Sequence, residues 1–302
     1  MSSNEFSEVV HGKWILCGEH SVLRGKPALV FPVSQKSLKS DCHSFNEPFD
    51  DNFTCENANE YPLLFWGLIE EALKKLDKKR SDLQGKMKVD SHLPIGTGLG
   101  ASAALCVGVT KYFNTLGWVE AQDSYEFARS LEDLFHGESS GVDIAVALQG
   151  RPLKFTRGGD RSAIQLKWQP KWAVSYCGQR GVTADCVKKV QKFIAENPEQ
   201  GRALDDQMGQ AVGLAQKALC DMGESAGFAE LKKSISMAND CFLRWGLVSD
   251  SLKQHMNQLK GAGALATKPT GSGGGGFVLS LWDKTPPKEV GGVVLISQGP
   301  FE

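Results

Sequence analysis

The chain has 302 residues, of which 41% are hydrophobic and 23% are charged, a composition typical of soluble globular proteins. Its 34 Lys and Arg residues balance its 35 Asp and Glu residues, which gives no general attraction for nucleic acid or for an anionic membrane. No stretch reaches the roughly 20 apolar residues that span a bilayer, so we expect neither a nucleic-acid nor a membrane partner.

The cysteines indicate the compartment. Eight are present, and no two are spaced as CxxC, which argues against a zinc knuckle or a redox dithiol. The polar N-terminal segment lacks the apolar core of a secretion signal. We therefore expect free thiols in a reducing environment and predict a cytoplasmic protein.

The first candidate functional stretch extends from Gly12 to Leu29. We predict two short strands over residues 6–17, followed by a Gly-Glu-His turn that carries Glu19 and His20. Lys13 precedes the apolar part of the second strand. Taken singly, Lys13 has an alternative interpretation as a solvated charge, and His20 as a turn or cap residue.

The central stretch is a glycine loop, Pro94-Ile95-Gly96-Thr97-Gly98-Leu99-Gly100-Ala101-Ser102, between a predicted strand (86–91) and a predicted helix (103–113). Glycines permit positive φ angles, and the unpaired N–H groups at a helix start attract phosphate. No lysine follows the last glycine, and the spacing is not GxGxxG, so neither common nucleotide-binding loop is present. A turn that only allows close helix packing is the alternative.

Two acidic residues follow the loop. Glu132 lies on a predicted helix over 123–135, and Asp143 lies in the first turn of a helix that we expect Ser139 or Ser140 to cap. A carboxylate is favourable in a first turn in any case. The apolar neighbours of Asp143 nevertheless predict partial burial, and a buried carboxylate needs a partner.

The second half begins after a turn-rich boundary at 150–161. We predict strands at 163–167 and 172–176, and then four helices, the first of which begins near Thr183. A second glycine loop containing Ser272 leads directly into a strand at 277–281. A flexible linker is the alternative interpretation, although linkers rarely open into a strand.

In this order the stretches resemble the three motifs of the GHMP kinases (galactose, homoserine, mevalonate and phosphomevalonate kinases). The Gly-Glu-His turn is most similar to mevalonate kinases, since homoserine kinases lack it and galactokinases usually follow it with Thr-Asp rather than Ser21-Val22. The resemblance implies an α+β fold of two domains, residues 1–155 and 156–302. The N-terminal domain would be ribosomal-S5-like, the C-terminal domain ferredoxin-like, and the active site would lie in the cleft.

The resemblance also implies an activity, which is transfer of the γ-phosphate of ATP to the 5-hydroxyl of mevalonate for isoprenoid synthesis. Phosphomevalonate kinase or another small-molecule GHMP kinase is the alternative within the class, and a catalytically silent ligand-binding protein is the alternative outside it. The expected partner is a mevalonate-like hydroxy acid, and a homodimer is possible within this family.

Site roles follow from the same resemblance. Asp143 would orient the hydroxyl and accept its proton beside Lys13, while Ser102 and Glu132 would bind Mg²⁺. The hydroxy acid would contact Glu19, His20, Thr183 and Ser272. The ATP phosphates would contact Pro94, Gly96, Thr97, Gly98, Leu99, Gly100, Ala101 and Ser102. The chain departs from the family at Ala101, where a second serine is usual, and after Thr183, where a basic residue is common.

Overall fold

The computed structural model describes residues 6–48, 61–136 and 139–300. The first half of the chain contains β1 (Phe6–Cys17), β2 (Ala28–Pro48), α1 (Tyr61–Lys75), β3 (Gln84–Ser91), α2 (Ala101–Thr115), α3 (Ser124–His136), α4 (Val142–Gln149) and β4 (Leu153–Phe155). The second half contains β5 (Arg161–Ala163), β6 (Lys171–Tyr176), α5 (Thr183–Glu196), α6 (Pro198–Cys220), α7 (Glu224–Arg244), α8 (Asp250–Gly261), β7 (Ala266–Thr270), β8 (Phe277–Trp282), β9 (Glu289–Val290), β10 (Val293–Val294) and β11 (Ile296–Ser297). None of the described helices has the length and hydropathy needed to cross a bilayer.

Two predicted strands were placed incorrectly. Residues 6–17 form one strand rather than two, because the chain continues in extended form through His11 and Gly12. The strand predicted at 163–167 is observed at Arg161–Ala163 (β5), so residues 164–167 lie outside it. Beyond it, the Lys167 N–H donates to the carbonyl of Leu219 at 2.8 Å, so this segment bonds to the end of α6 instead of to a neighbouring strand.

The chain forms two compact units, and both are discontinuous in sequence. The first takes its residues from 1–12, 36–94 and 100–150, and the second takes its residues from 13–35, 95–99 and 151–302. The second unit therefore includes an early segment of the chain and the tip of the central glycine loop. The division into domains 1–155 and 156–302 stays a prediction, since compactness alone does not define a domain that folds independently.

The first unit is built around α2, which packs against α3 and α4. Strand β3 pairs antiparallel with β2, from Leu38 opposite Ser91 to His43 opposite Lys86. Apolar residues fill most positions of α2, as expected for a helix covered on several sides. This packing fixes the start of α2, where the glycine loop ends.

The second unit contains an antiparallel sheet with the strand order β11-β6-β8-β7. Helix α8 packs on β7 and β8, and α7 packs against both β7 and α6. Strands β7 and β8 pair from Ala266 opposite Leu281 to Thr270 opposite Phe277, so the second glycine loop is the turn between them. The β1 strand enters this unit at Lys13. The Ile15 N–H donates to the Thr270 hydroxyl at 2.8 Å, and that hydroxyl donates to the Ile15 carbonyl at 2.9 Å.

Candidate active site

Strand β1 is hydrogen-bonded to the central glycine loop within the second unit. Lys13 is buried near the middle of β1, and its backbone N–H donates to the carbonyl of Leu99 at 2.8 Å. The next residues of β1 are a buried apolar run that ends at Cys17. Because this run is buried up to Cys17, it anchors the start of the Gly-Glu-His turn that follows.

The Gly-Glu-His turn is tied to α6 by an ion pair. After Glu19 and His20 the chain forms a short 3₁₀ helix over Ser21–Arg24. The guanidinium of Arg24 donates two hydrogen bonds to the carboxylate of Asp205, both at 2.5 Å. Bidentate pairs of this kind fix orientation as well as adding energy.

His20 is held as a neutral imidazole. Its ring packs edge-on against Phe242 and Trp245, with centroid separations of 6.0 and 5.5 Å. Its Nε2 lies 2.8 Å from the carbonyl oxygen of Ser272, and because a carbonyl only accepts, we assign the proton to Nε2. Burial lowers the pKa of His20 to about 4, so the ring carries no charge at neutral pH.

The second glycine loop joins His20 to the start of α5. The Ser272 hydroxyl lies 3.3 Å from the hydroxyl of Thr183, the first residue of α5. The Cys186 thiol, one turn further along, donates to the Gly273 carbonyl at 3.3 Å. The structure therefore brings together His20, Thr183 and Ser272, three of the predicted substrate contacts.

Glu19, the fourth predicted substrate contact, forms a buried ion pair with Lys268 of β7. Lys268 Nζ donates to Glu19 Oε1 at 2.5 Å, and the two side chains are 0% and 2% exposed. Lys268 Nζ also donates to the carbonyls of Pro269 and Ile15. Burial raises the pKa of Glu19, while Lys268 and, to a smaller extent, Lys13 lower it. Sequence analysis missed Lys268. It is a charged residue in β7, a five-residue strand that is buried throughout, and a buried lysine of this kind needs a partner.

The tip of the central glycine loop lies against the second glycine loop. Gly96, Gly98 and Gly100 all have positive φ angles, between 72 and 91°, which glycine adopts without a steric penalty. A Cβ on Gly276 would lie 3.1 Å from the carbonyl oxygen of Thr97. The backbones of the two loops therefore approach closely within the second unit.

Arg180 is a further cation at the glycine loop that sequence analysis missed. A Cβ on Gly96 would lie 3.6 Å from Arg180 Nη1, and the Arg180 side chain is exposed. The Gln179 carbonyl beside it accepts the Gly276 N–H at 2.7 Å, and a Cβ on Gly275 would lie 2.6 Å from the same oxygen. The second loop is therefore a packed turn and not a flexible linker.

The first unit holds the predicted magnesium ligand Glu132 in α3. This carboxylate is buried, and its Oε2 accepts a hydrogen bond from the Ser139 hydroxyl. The predicted cap of α4 by Ser139 or Ser140 is wrong in position, because Gly141 occupies the cap position; the Ser140 hydroxyl accepts the N–H of Val142, at 3.4 Å. The Ser139 hydroxyl instead satisfies Glu132, since a buried carboxylate needs a donor.

Ser102, the other predicted magnesium ligand, lies in the first turn of α2. Cys106 follows it by four residues and so shares its face of the helix. Burial and the charge of Glu132 both raise the pKa of Cys106, and α2 packs against α3, the helix that carries Glu132. A hydroxyl and a carboxylate on adjacent helices are oxygen ligands of the kind that Mg²⁺ takes.

Among the described residues, no group of three or more His, Cys, Asp and Glu side chains could hold a metal ion. Mg²⁺ needs no such group when it binds through one or two protein oxygens and nucleotide phosphates. The residues present in the first unit therefore fit this ion.

Asp143 lies where the sequence placed it, in the first turn of α4. Its side chain is half-buried between the buried residues Val142 and Ile144, as predicted. Helix α4 packs against α2 and α3, so Asp143 belongs to the same unit as Ser102 and Glu132. Its predicted meeting with Lys13 stays a prediction.

Comparison with known proteins finds a family model and curated relatives that are similar to this chain. Residues 67–151 match the model of the GHMP kinases N terminal domain. A curated mevalonate kinase from Pyrococcus furiosus is 27% identical over 293 residues, which cover 89% of this chain and 86% of that relative. These matches agree with the resemblance found in the motifs.

Solved structures agree on the fold. The crystal structure of L. major mevalonate kinase in complex with R-mevalonate matches with a TM-score of 0.77 at 23% identity, covering 94% of this chain and 89% of that one. Streptococcus pneumoniae phosphomevalonate kinase in complex with phosphomevalonate and AMPPNP matches with a TM-score of 0.69 at 15% identity, covering 93% of each chain. The predicted α+β fold is confirmed.

Proposed function

We propose that this chain, whose residues 67–151 match the GHMP kinases N terminal domain model, transfers the γ-phosphate of ATP to the 5-hydroxyl of mevalonate. The observation that carries the proposal is the similarity to curated mevalonate kinases over about nine tenths of the chain, at 27% identity for the P. furiosus enzyme. Phosphoryl transfer needs positioning and charge neutralisation more than covalent chemistry.

In the second unit, the side chains supply recognition and positive charge. Lys13 stabilises the negative charge that develops on the attacking oxygen. The neutral His20, together with Thr183 and Ser272, contacts the hydroxy acid. Backbone N–H groups of residues 96–99, continued by those of 100–102 in the first unit, contact the phosphates of ATP, and Arg180 adds a cation beside residue 96. The support for Arg180 is its place next to Gly96.

In the first unit, the side chains supply the proton acceptor and the metal ligands. Asp143 orients the attacking hydroxyl and accepts its proton late, which suits a loose transition state. Ser102 and Glu132 hold Mg²⁺, which neutralises charge on the phosphate oxygens when it is bound. The buried position of Glu132 and its bond from Ser139 support this role, since they fix the carboxylate before the ion binds.

We also propose a cytoplasmic location for the protein. Seven cysteines among the described residues are free, which is consistent with the cytoplasm predicted from the sequence. A homodimer stays a prediction.

An assay of ADP release tests the proposed function. Purified protein is supplied with MgATP and, in turn, mevalonate, phosphomevalonate, galactose and homoserine. We expect turnover with mevalonate. Turnover with phosphomevalonate alone would favour the alternative kinase, and no turnover with any acceptor would favour a ligand-binding protein.

A pair of histidine variants tests the substrate contact. His20→Ala should raise the KM for mevalonate more than the KM for ATP, because His20 belongs to the recognition set. His92→Ala is the matched control, since His92 is an exposed histidine directly after β3. Equal changes in both KM values for His20→Ala would contradict the assignment.

A further inference from the structure

We propose that Lys268 is a positioning residue for substrate recognition, because it fixes one oxygen of Glu19 and leaves the other for the hydroxy acid. The inference rests on the proposed function and deepens it. It starts from an ion pair that is buried on both sides, with Lys268 Nζ 2.5 Å from Glu19 Oε1.

The surroundings of Lys268 hold its ammonium in one place. Two carbonyls, those of Pro269 and Ile15, accept from Nζ in addition to Glu19. The Phe242 ring lies 5.2 Å from the same nitrogen, and that ring also packs on His20. An ammonium has three donors, so Lys268 has little freedom to turn away from Glu19.

The second oxygen of Glu19 has no partner of its own in the part of the chain that the structure describes. Among the described residues, Glu19 Oε2 is buried without a hydrogen-bond partner. Buried acceptors are nearly always satisfied in proteins, so an unsatisfied one next to a recognition residue indicates a ligand donor. A hydroxyl of the substrate supplies such a donor, provided that Glu19 is ionised.

Lys268 favours the ionised form of Glu19. The elements around the carboxylate bring Lys268 from β7, Lys13 and Cys17 from β1, and Cys241 from α7. Burial raises the pKa of both thiols, for Cys241 to about 12, so they stay uncharged. Burial also raises the pKa of Glu19 itself, and the charge of Lys268 is the largest influence that lowers it. Without it, we expect the carboxyl to take up a proton at neutral pH.

Lys268→Met tests the inference in the kinase assay. We expect the KM for mevalonate to rise about tenfold to hundredfold, as for loss of a hydrogen bond to a charged group, with the KM for ATP unchanged. The KM for mevalonate should fall again as pH rises, because Glu19 then ionises. Lys171→Met, at an exposed lysine of β6, is the matched control and should leave both constants unchanged.

The double variant Glu19→Gln/Lys268→Met separates positioning from folding, since it leaves no unpaired buried charge. If Lys268 acts through Glu19, adding Lys268→Met to Glu19→Gln should change the KM for mevalonate no further. Effects that multiply, or an unchanged KM in Lys268→Met, would overturn the inference. The double variant also keeps the comparison available if the single variant does not fold.

Infrared spectroscopy provides a readout independent of turnover. Lys268→Met should show a protonated carboxyl band at neutral pH that is absent from the wild-type protein and from the double variant. Absence of this band would overturn the inference even if mevalonate is the substrate. Wild-type protein that does not phosphorylate mevalonate would instead contradict the proposed function, and the infrared comparison would still decide the role of Lys268.

Discussion

The ion pair between Arg24 and Asp205 should stabilise the protein more than its neighbour, the pair between Lys26 and Asp206. Both pairs join the segment after the Gly-Glu-His turn to α6, at 2.5 and 2.6 Å. The side chains of the first pair are 28% and 10% exposed, and those of the second are 38% and 61% exposed. The two pairs thus differ in burial and also in geometry, because Arg24 makes two hydrogen bonds to its partner and Lys26 makes one.

The magnitudes follow from that difference. Breaking a buried pair costs about 3–5 kcal/mol, whereas an exposed pair contributes about 0–1 kcal/mol. Arg24→Met, in a partly buried pair, should therefore lower the free energy of unfolding by about 1–3 kcal/mol. Lys26→Met should lower it by less than about 1 kcal/mol. Each kcal/mol corresponds to roughly 2–4 °C in Tm for a unit of this size.

The assay is thermal and urea unfolding at low and high salt. The effect of Lys26→Met should vanish in about 1 M salt, where the Debye length is about 3 Å, whereas the effect of Arg24→Met should persist. The double variant Arg24→Met/Asp205→Asn should recover part of the loss, because it leaves no unpaired carboxylate. Equal losses for the two single variants would refute the reasoning from burial.

Three further results are expected. Asp143→Asn should cut turnover by roughly 10²-fold or more, as for loss of a positioned acid–base group. ATP binding, measured by titration, should persist. Near-normal turnover would make Asp143 an ordinary first-turn carboxylate. Ser102→Ala should raise the Mg²⁺ concentration needed for half-maximal activity, and an unchanged Mg²⁺ dependence would remove Ser102 as a ligand. Because the pKa of His20 falls from 6.5 to about 4 on folding, its contribution of about 3 kcal/mol is complete above pH 6.5 and lost as pH falls to about 4. Urea unfolding of His20→Gln should lack this part of the pH dependence, and an identical slope in both proteins would contradict it.

The helices were largely predictable from the sequence, because their apolar periodicity is local. Helices α2 and α3 begin and end within about two residues of the predicted bounds. The β1 strand was predicted as two strands because His11 and Gly12 interrupt its apolar pattern. What holds it extended is pairing with β2, which no local pattern reveals.

The residue types of the site could be predicted from the sequence, but the partner residues that hold them in place could not. Glycine loops and the Gly-Glu-His turn are contiguous motifs, so the sequence presents them directly. The partners that hold them are distant in the chain, as with Arg24 and Asp205, 181 residues apart, and Glu19 and Lys268, 249 residues apart. Ser139 illustrates the same limit, since a cap and a bond to Glu132 are equally consistent with its place before a helix.

The paired hydrogen bonds between Ile15 and Thr270 have a consequence for synthesis of the chain. The two residues are 255 positions apart, and Lys268 also bonds to the carbonyl of Ile15. At roughly 5–20 residues per second, a ribosome needs about 13–50 s to make the intervening chain. During that interval the buried apolar run after Lys13 has no β7 to bond with, and it is exposed to incorrect strand pairing. We therefore expect the second unit to fold only after nearly the whole chain has been made, and a fragment that begins at residue 151 not to fold without residues 13–35.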